Sequence, residues 1–421
     1  MPWTETRAMD ERMRFVVEHE LDDLSMTALC AQYNISRKTG YKWLARMQEA
    51  AAVGFGDRSR APHRHPNQVP PLIEQGVVAM RELHPTWGAK KMLRRLQEDY
   101  PQTPWPARST IAEVLRRKGL VWPRKVRRRV PPQEQPFARC DGPNALWCTD
   151  FKGWFRTGDG ERCDPLTISD AFSRYLIRCQ AVDDTSGPGV RPLFEAAFRE
   201  YGVPRAIRSD NGAPFASCAI AGLSRLSVWW IKLGILHERI EPGQPQQNGR
   251  HERMHLTLQQ ETASPPAASV RAQQRRFDAF RKEFNEQRPH EALDLDTPAS
   301  RYEPSNRPYP AREPEVTYPA EWACRRVRVR GEVKFKGPPF FLSEALIGEP
   351  VGFEPIDDRY WRAHFGPVAL GIFDEHVRRM LKPAEIRRQG LAVRPPAGKP
   401  PSAALQEASQ QTQGVLPMCL D

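Results

Sequence analysis

No two of the eight cysteines form a C-x-x-C pair, and no histidines stand beside them at the spacing of a zinc site. Scattered singly, they read as reduced thiols, which excludes a disulfide scaffold and a zinc module. Also missing is any uninterrupted apolar run approaching about 18 residues, so no membrane span is predicted. The first residues, MPWTETRAMDERMRF, lack the apolar core of a signal peptide. The expectation is a soluble, cytoplasmic protein. Repeats at solenoid periods are absent too.

What the chain has in excess is positive charge. Its net charge is +12, from 63 Lys and Arg against 51 Asp and Glu, and the surplus gathers in RKVRRR at 124–129 and RRVRVR at 325–330. Two basic runs flanking one central segment point to a polyanion, with nucleic acid first. A length of 421 residues is enough for several domains. The 41 prolines cluster at 62–71, 131–136, 298–319 and 395–401, where linkers are expected.

The expected division is a helix-turn-helix module at 1–53, a linker at 54–71, a second such module at 72–122, a basic linker at 123–139, a core at 140–302, a Pro-rich linker at 303–320, a small β-barrel at 321–375 and a largely disordered tail at 376–421. In the first module Thr27–Gln32 predicts a short helix, Tyr33–Ile35 a tight turn, and Ser36 the N-cap of a second helix burying Gly40, Trp43, Leu44 and Met47. That spacing leaves Arg37, Lys38, Thr39 and Lys42 outward, as a major-groove reader requires. In the second module GAKKMLRRLQEDY and STIAEVLRRKGL are amphipathic, Thr110 and Glu113 fit a capping box, and Gly119 fits a helix stop. Lys90, Lys91, Arg94, Arg95, Arg116, Arg117 and Lys118 are expected outside. Arg124, Lys125, Arg127, Arg128 and Arg129 of the basic linker are further candidates for DNA contact.

From Asn144 the pattern turns to period two. ALWCTDFKGWF, CDPLTISDAF and RYLIRCQAV read as successive antiparallel strands, with a turn at Thr157–Gly160. A helix at 190–201 stops at Gly202, and RAIRSDNGAPF reads as a short strand and loop. A helix at 221–234 leads to the strand GILHERI, and RHERMHLTLQQE is helical. Three acids stand out. Asp150 lies mid-strand, where an unpaired buried carboxylate costs several kcal/mol. Asp210 ends a strand, where open α/β sheets bind ligands, and Glu252 is one turn into a helix. Converging carboxylates call for a hard divalent cation, Mg2+ or Mn2+.

WCTDFKG, RSDNGAPF and PGQPQQNGRHERMHLTLQQE resemble, in order and in context, the three signature blocks of the integrase catalytic core, over roughly residues 140–300. Within that ribonuclease-H-like superfamily the chain most resembles DDE transposases of bacterial insertion sequences. The resemblance implies a multidomain α and α/β protein whose catalytic and metal-binding triad is Asp150, Asp210 and Glu252. It further implies two Mg2+ ions per site, Mn2+ substituting, with Asp150 bridging them. The implied reaction nicks the element end with water and then joins the freed 3′-hydroxyl to target DNA. Expected partners are double-stranded DNA, both terminal repeats and target, and further copies of the chain on that DNA near the nucleoid. Neither a membrane nor a nucleotide cofactor is needed.

Two departures accompany the match. The 41 residues between Asp210 and Glu252 exceed the retroviral spacing, the surplus falling around CAIAGLSRLSVWW, and the N-terminal zinc module is lacking, which leaves His63 and His65 as linker residues. Asp164, Asp170, Asp183 and Asp184 are expected as turn or surface residues. Glu261, nine residues past Glu252, falls on the opposite helix face. Asn211 and Gly212 would let the backbone pass close to metal or phosphate, and Gln246, Gln247, Asn248 and Arg253 lie near the phosphate path. A DNA-binding regulator and a hydrolysis-only nuclease are the alternatives.

CRRVRVRGEVKFKGPPFFLS alternates, placing Val327, Val329, Val333 and Phe335 on one side and Arg326, Arg328, Arg330, Lys334 and Lys336 on the other. A small barrel ending near Asp374, with a cationic face on the DNA backbone, is expected.

Overall fold

The computed structural model describes residues 8–21, 23–50, 57, 68–121, 140–217, 219–241 and 249–391, which fall into two compact units, 1–69 and 70–421. Expectations for Arg124, Lys125, Arg127, Arg128, Arg129, Gln246, Gln247, Asn248, His63 and His65, and for the chain beyond 391, lie outside the described residues.

The first unit is three helices: α1 (Ala8–Glu20), α2 (Met26–Gln32) and α3 (Arg37–Ala50). Ser25 caps α2, its Oγ accepting from Ala28 N at 3.4 Å, and Ser36 caps α3, accepting from Thr39 N at 3.2 Å. Between them Asn34 takes a left-handed φ of 51°, a conformation Asn tolerates better than most side chains. Phe15, Val16, Leu29, Cys30 and Trp43 form the core, while Arg37, Lys38 and Lys42 are exposed and Thr39 is half-buried. A Cβ on Gly40 would lie 2.8 Å from both Cys30 Sγ and Phe15 Cζ, so α3 packs closely because this position is bare. Gly40→Ala should therefore lower the denaturant midpoint of this unit. Overpacking of about 1–3 kcal/mol outweighs the roughly 1 kcal/mol that Ala gains in a helix.

The second unit opens with α4 (Pro71–Leu83), α5 (Ala89–Asp99) and α6 (Arg108–Arg117), packed through Val77, Met80, Met92, Leu96, Ile111 and Val114. The expected capping box does not form. Helix α6 is capped three residues earlier, at Ala107, and Glu113 pairs with Arg116 instead, at 2.6 Å. Gly119 does stop the helix, at φ 69°. Lys91 is not external either: it is drawn in beside the core domain, and burial pushes its ammonium down to about 8. The loop between α4 and α5 plugs into the core, where Trp87 is buried and Thr86 donates to Glu261, which also pairs with Arg288. Glu261 is thus occupied elsewhere, as its position nine residues past Glu252 requires.

The core sheet comprises β1 (Leu146–Phe151), β2 (Phe155–Arg156), β3 (Arg162–Asp170), β4 (Leu176–Val182), β5 (Ala206–Ser209) and β6 (Leu236–Arg239). Its order is β4-β3-β1-β5-β6, with β2 extending β3. The pairings β4-β3 and β3-β1 are antiparallel, β1-β5 and β5-β6 parallel. One face carries α7 (Gly187–Tyr201) and α8 (Arg225–Lys232) on Trp147, Leu166, Ile168 and Ile207. The other carries α9 (Gly249–Thr262) and α10 (Val270–Glu286) on Cys163, Leu176 and Cys179. Residue alternation thereby sends Leu166 and Ile168 to one side and Thr167 and Ser169 to the other. Asp164 and Asp170 are buried, contrary to expectation. Asp170 accepts from Asn144 N, Ser173 N and Ser173 Oγ, and so holds the turn into β4. Asp164 pairs with Arg162.

Residues 303–320 have no regular helix or strand, yet they are strapped down. Arg307 donates to the Pro204 and Leu233 carbonyls, and Tyr309 packs on Phe198 and Trp229. Beyond them β7 (Ala323–Arg326), β10 (Pro350–Pro355), β11 (Tyr360–Phe365), β12 (Val368–Asp374) and β13 (Arg379–Met380) form an antiparallel sheet. A separate hairpin pairs β8 (Glu332–Lys334) with β9 (Pro339–Phe341). The described strands make a five-stranded open ladder, not a closed one. Val329 departs from the expected alternation and is 85% exposed, because Arg328–Gly331 is a turn closed by Gly331 N on Arg328 O. Arg326, Arg328, Arg330, Lys334 and Lys336 are exposed as expected. The fold also continues past Asp374: β13 and α11 (Pro383–Arg388) lay Leu381 and Ile386 on Ile372.

Asp374 is buried and bridged by Arg359 at 2.7 Å, which holds its carboxyl below the usual carboxylate range. With the folded value below the unfolded one of about 3.9, the contribution is complete above that value and lost as pH falls through the folded one. The gap in melting temperature between wild type and Asp374→Asn should stay constant from pH 7 to about 5 and shrink below about 4. A gap that widens in acid would contradict this assignment.

Candidate active site

Asp150 is the fifth residue of β1, paired with Thr167 of β3. Parallel pairing of Cys148 with Arg208 puts Asp150, two residues on, level with Asp210, which follows the last residue of β5. Both carboxylates therefore arise at the carboxyl ends of adjacent parallel strands. Burial, then Asp210, and to a smaller degree Glu252 push the Asp150 carboxyl up to about 7, against the Phe151 N–H and Lys152. Asp210 is also raised by burial, and its Oδ1 is buried with no hydrogen-bond partner.

The loop after β5 is shaped around that carboxylate. Ser209 Oγ donates to the Asp210 carbonyl at 2.9 Å and contacts His237 Nε2 at 2.9 Å, while Asn211 Nδ2 donates to Ile240 O at 2.7 Å. A Cβ on Gly212 would meet Asp210 Oδ2 at 2.9 Å, so the glycine makes room for the acid itself.

Two histidines that sequence reasoning passed over complete the floor. His251 and His255, four apart on α9, both contact Thr167 Oγ1 at 2.7 Å, and His251 Nδ1 contacts Ser169 Oγ at 2.9 Å. Burial depresses both, His251 to about 3 and His255 to about 2, so they sit neutral against the sheet. His255 Nδ1 is 4.0 Å from Asp150 Oδ2. The signal was present in the i, i+4 spacing of RHERMH, but only the structure shows Thr167 opposite it.

Glu252, between these histidines, is exposed on the first turn of α9, and Arg253 beside it is exposed and near Lys91. Among the described residues no three His, Cys, Asp or Glu side chains stand close enough to hold a metal ion. The two aspartates are thus brought together, and Glu252 acts on Asp150 from farther off. Their oxygens nevertheless suit a hard divalent cation: one is orphaned in the interior and the other belongs to an acid destabilised by burial and like charge. Lys90 is exposed on α5. Among the described residues no helix is long and apolar enough to cross a membrane.

Residues 141–245 and 233–298 match the family described as integrase core domain, residues 11–63 a helix-turn-helix domain and residues 39–115 a homeodomain-like domain. The 39.2 kDa uncharacterized protein of insertion element IS476 from Xanthomonas euvesicatoria is 27% identical over 257 residues, 60% of this chain and 72% of that protein. An uncharacterized protein of insertion element IS136 from Agrobacterium fabrum is 31% identical over 170 residues, 37% of this chain and 80% of that protein. Among solved structures, the HTLV-2 integrase catalytic core domain in complex with magnesium aligns at 15% identity and a TM-score of 0.31, covering 38% of this chain and 98% of that one. The chain belongs to the family of bacterial insertion-element transposases with a ribonuclease-H-like integrase core.

Proposed function

We propose that this chain cuts the ends of an insertion element and joins them to target DNA by metal-dependent phosphoryl transfer. The observation that carries this reading is the pair of carboxylates, Asp150 and Asp210, level on adjacent parallel strands of an integrase core, both raised by burial, with Lys152 acting only weakly against the rise at Asp150. Asp150 and Asp210 would hold Mg2+, with Glu252 completing the set from α9. When bound, the metal stabilises charge on the phosphoryl oxygens and acidifies the attacking hydroxyl.

The chain's own residues do the rest. The Thr167–His251–His255 network fixes the spacing of β1, β3 and α9, so Glu252 is carried on a helix whose buried side is pinned. Arg37, Lys38, Thr39 and Lys42 read a terminal repeat, Lys90 and Arg253 track phosphates beside the acids, and Arg326, Arg328 and Arg330 grip flanking or target DNA. Copies assemble on paired element ends in the cytoplasm, at the nucleoid.

The test uses the full chain, Mg2+, a labelled duplex of the gene's own flank and supercoiled plasmid. A nick at one fixed position followed by transfer of label to plasmid supports the reading. Nicking without transfer would leave a nuclease, and tight binding without any cutting, in Mg2+ or Mn2+, would leave a regulator.

A further inference from the structure

Just past Asp150 the chain leaves the sheet through Lys152 and Gly153, the latter at φ 89°, and presents Trp154. This indole is 56% exposed, beside a site rather than in a core. Arg162 and Arg156 stand 5.2 Å and 6.0 Å from its ring centroid. Arg162 is already paired with Asp164, at 2.5 Å and 2.9 Å, and so stiffens the ring. Lys152 and Arg156 supply further positive charge, Arg156 also donating from Nη1 to the Gly160 carbonyl at 2.6 Å.

Beside the ring lies a cavity of about 80 Å³ lined by Lys152 and Trp154 from the connection between β1 and β2, by Phe155 of β2, and by Leu258, Gln259 and Thr262 from α9. One water needs roughly 10–15 Å³ on this measure, so the space suits a planar ring better than a lone solvent molecule. Gln259 is seven residues past Glu252, two helical turns, which keeps both on one side of α9 about 10 Å apart. That is about three base steps of a stacked strand. An exposed aromatic ring with adjacent cations is the equipment that unpaired nucleotides select: the base stacks and the phosphates meet the charge.

We propose that this pocket receives one unpaired base of the DNA strand, within three nucleotides of the phosphate held at Asp150 and Asp210, stacked on Trp154. The proposal rests on the transposase reading above. It implies that the element end is opened, not held fully paired, when it enters the site. Lys152 and Arg156 take the phosphates on either side of that base.

The Asp150→Asn chain, chosen so that DNA is held without being cut, is titrated with two duplexes of the gene's own flank. One is fully paired; the other has the last three nucleotides of one strand unpaired and one of them replaced by 2-aminopurine. Adding Trp154→Ala should weaken binding of the open duplex about tenfold, with little change for the paired one, and should abolish quenching of the 2-aminopurine. Trp154→Phe should restore both. Equal affinities and unchanged quenching in Trp154→Ala would overturn the proposal, as would a loss of self-association in that variant with DNA binding intact, which would assign the ring to a second copy of the chain. If the Asp150→Asn parent binds neither duplex, the transposase reading falls with it; if the parent binds both and only the open-end effect is missing, the pocket alone is refuted.

Discussion

Replacing Asp150 by Asn is expected to reduce strand cleavage by about a thousandfold or more while changing affinity for the flank duplex less than about twofold. If Asp150 holds the metal as proposed, its loss forfeits several kcal/mol of transition-state stabilisation, and each 1.36 kcal/mol is a factor of ten. The side chain touches no DNA-reading helix, so binding should survive. A second readout is independent of turnover. In wild type, Mg2+ should raise the melting temperature by a few degrees, because the ion relieves repulsion between Asp150 and Asp210 that burial intensifies. In Asp150→Asn that increment should vanish, and the metal-free variant should melt at or above wild type. A variant that cleaves at near wild-type rate, or that still gains the full increment, would remove Asp150 from the site.

The second large effect is structural. Trp230→Ala should cost about 3–5 kcal/mol in a denaturant titration, enough to unfold much of the second unit at mild denaturant. The side chain is fully buried, 5.0 Å edge-on to Phe194, 5.2 Å from His237 and stacked on Phe215 at 6.2 Å. Its effect reaches the chemistry, since His237 holds Ser209, which donates to the carbonyl of Asp210. Trp230→Phe should cost far less than Ala, partly because the indole N–H is buried without a partner and its removal is no loss. An Ala variant within about 1 kcal/mol of wild type would show that the cluster around α8 collapses freely.

The acids were legible because a mid-strand Asp in LWCTDF and a strand-end Asp in RSDNG violate the pattern around them, and such violations mark sites. The first module was legible because Ser36, Gly40 and Trp43 are local signals. What stayed hidden was pairing across distance. Periodicity could place Thr167 on one face of β3, but not tell that His251 and His255 would land on it. Lys91 looked like any outward lysine of an amphipathic helix until Arg288 and Glu283 of the core were seen around it. Val329 followed the alternation on paper and left it in fact, because Gly331 turns the chain before a strand can form. Burial of Asp170 was equally unreadable, since two of its three partners are backbone N–H groups, at Asn144 and Ser173.

The surplus residues between Asp210 and Glu252 also find their reason in the fold. Leu223, Val228 and Ile231 share one apolar cluster with Val333, Phe335, Phe353 and Phe365 of the C-terminal strands. The catalytic half and the tail half are therefore not interchangeable cassettes. A shortened gene ending after the core would leave a sticky scar where the strands had been, and a hybrid with a foreign tail would have to inherit this insertion too. Recombination among such elements must carry everything from the insertion to the last strand as one piece.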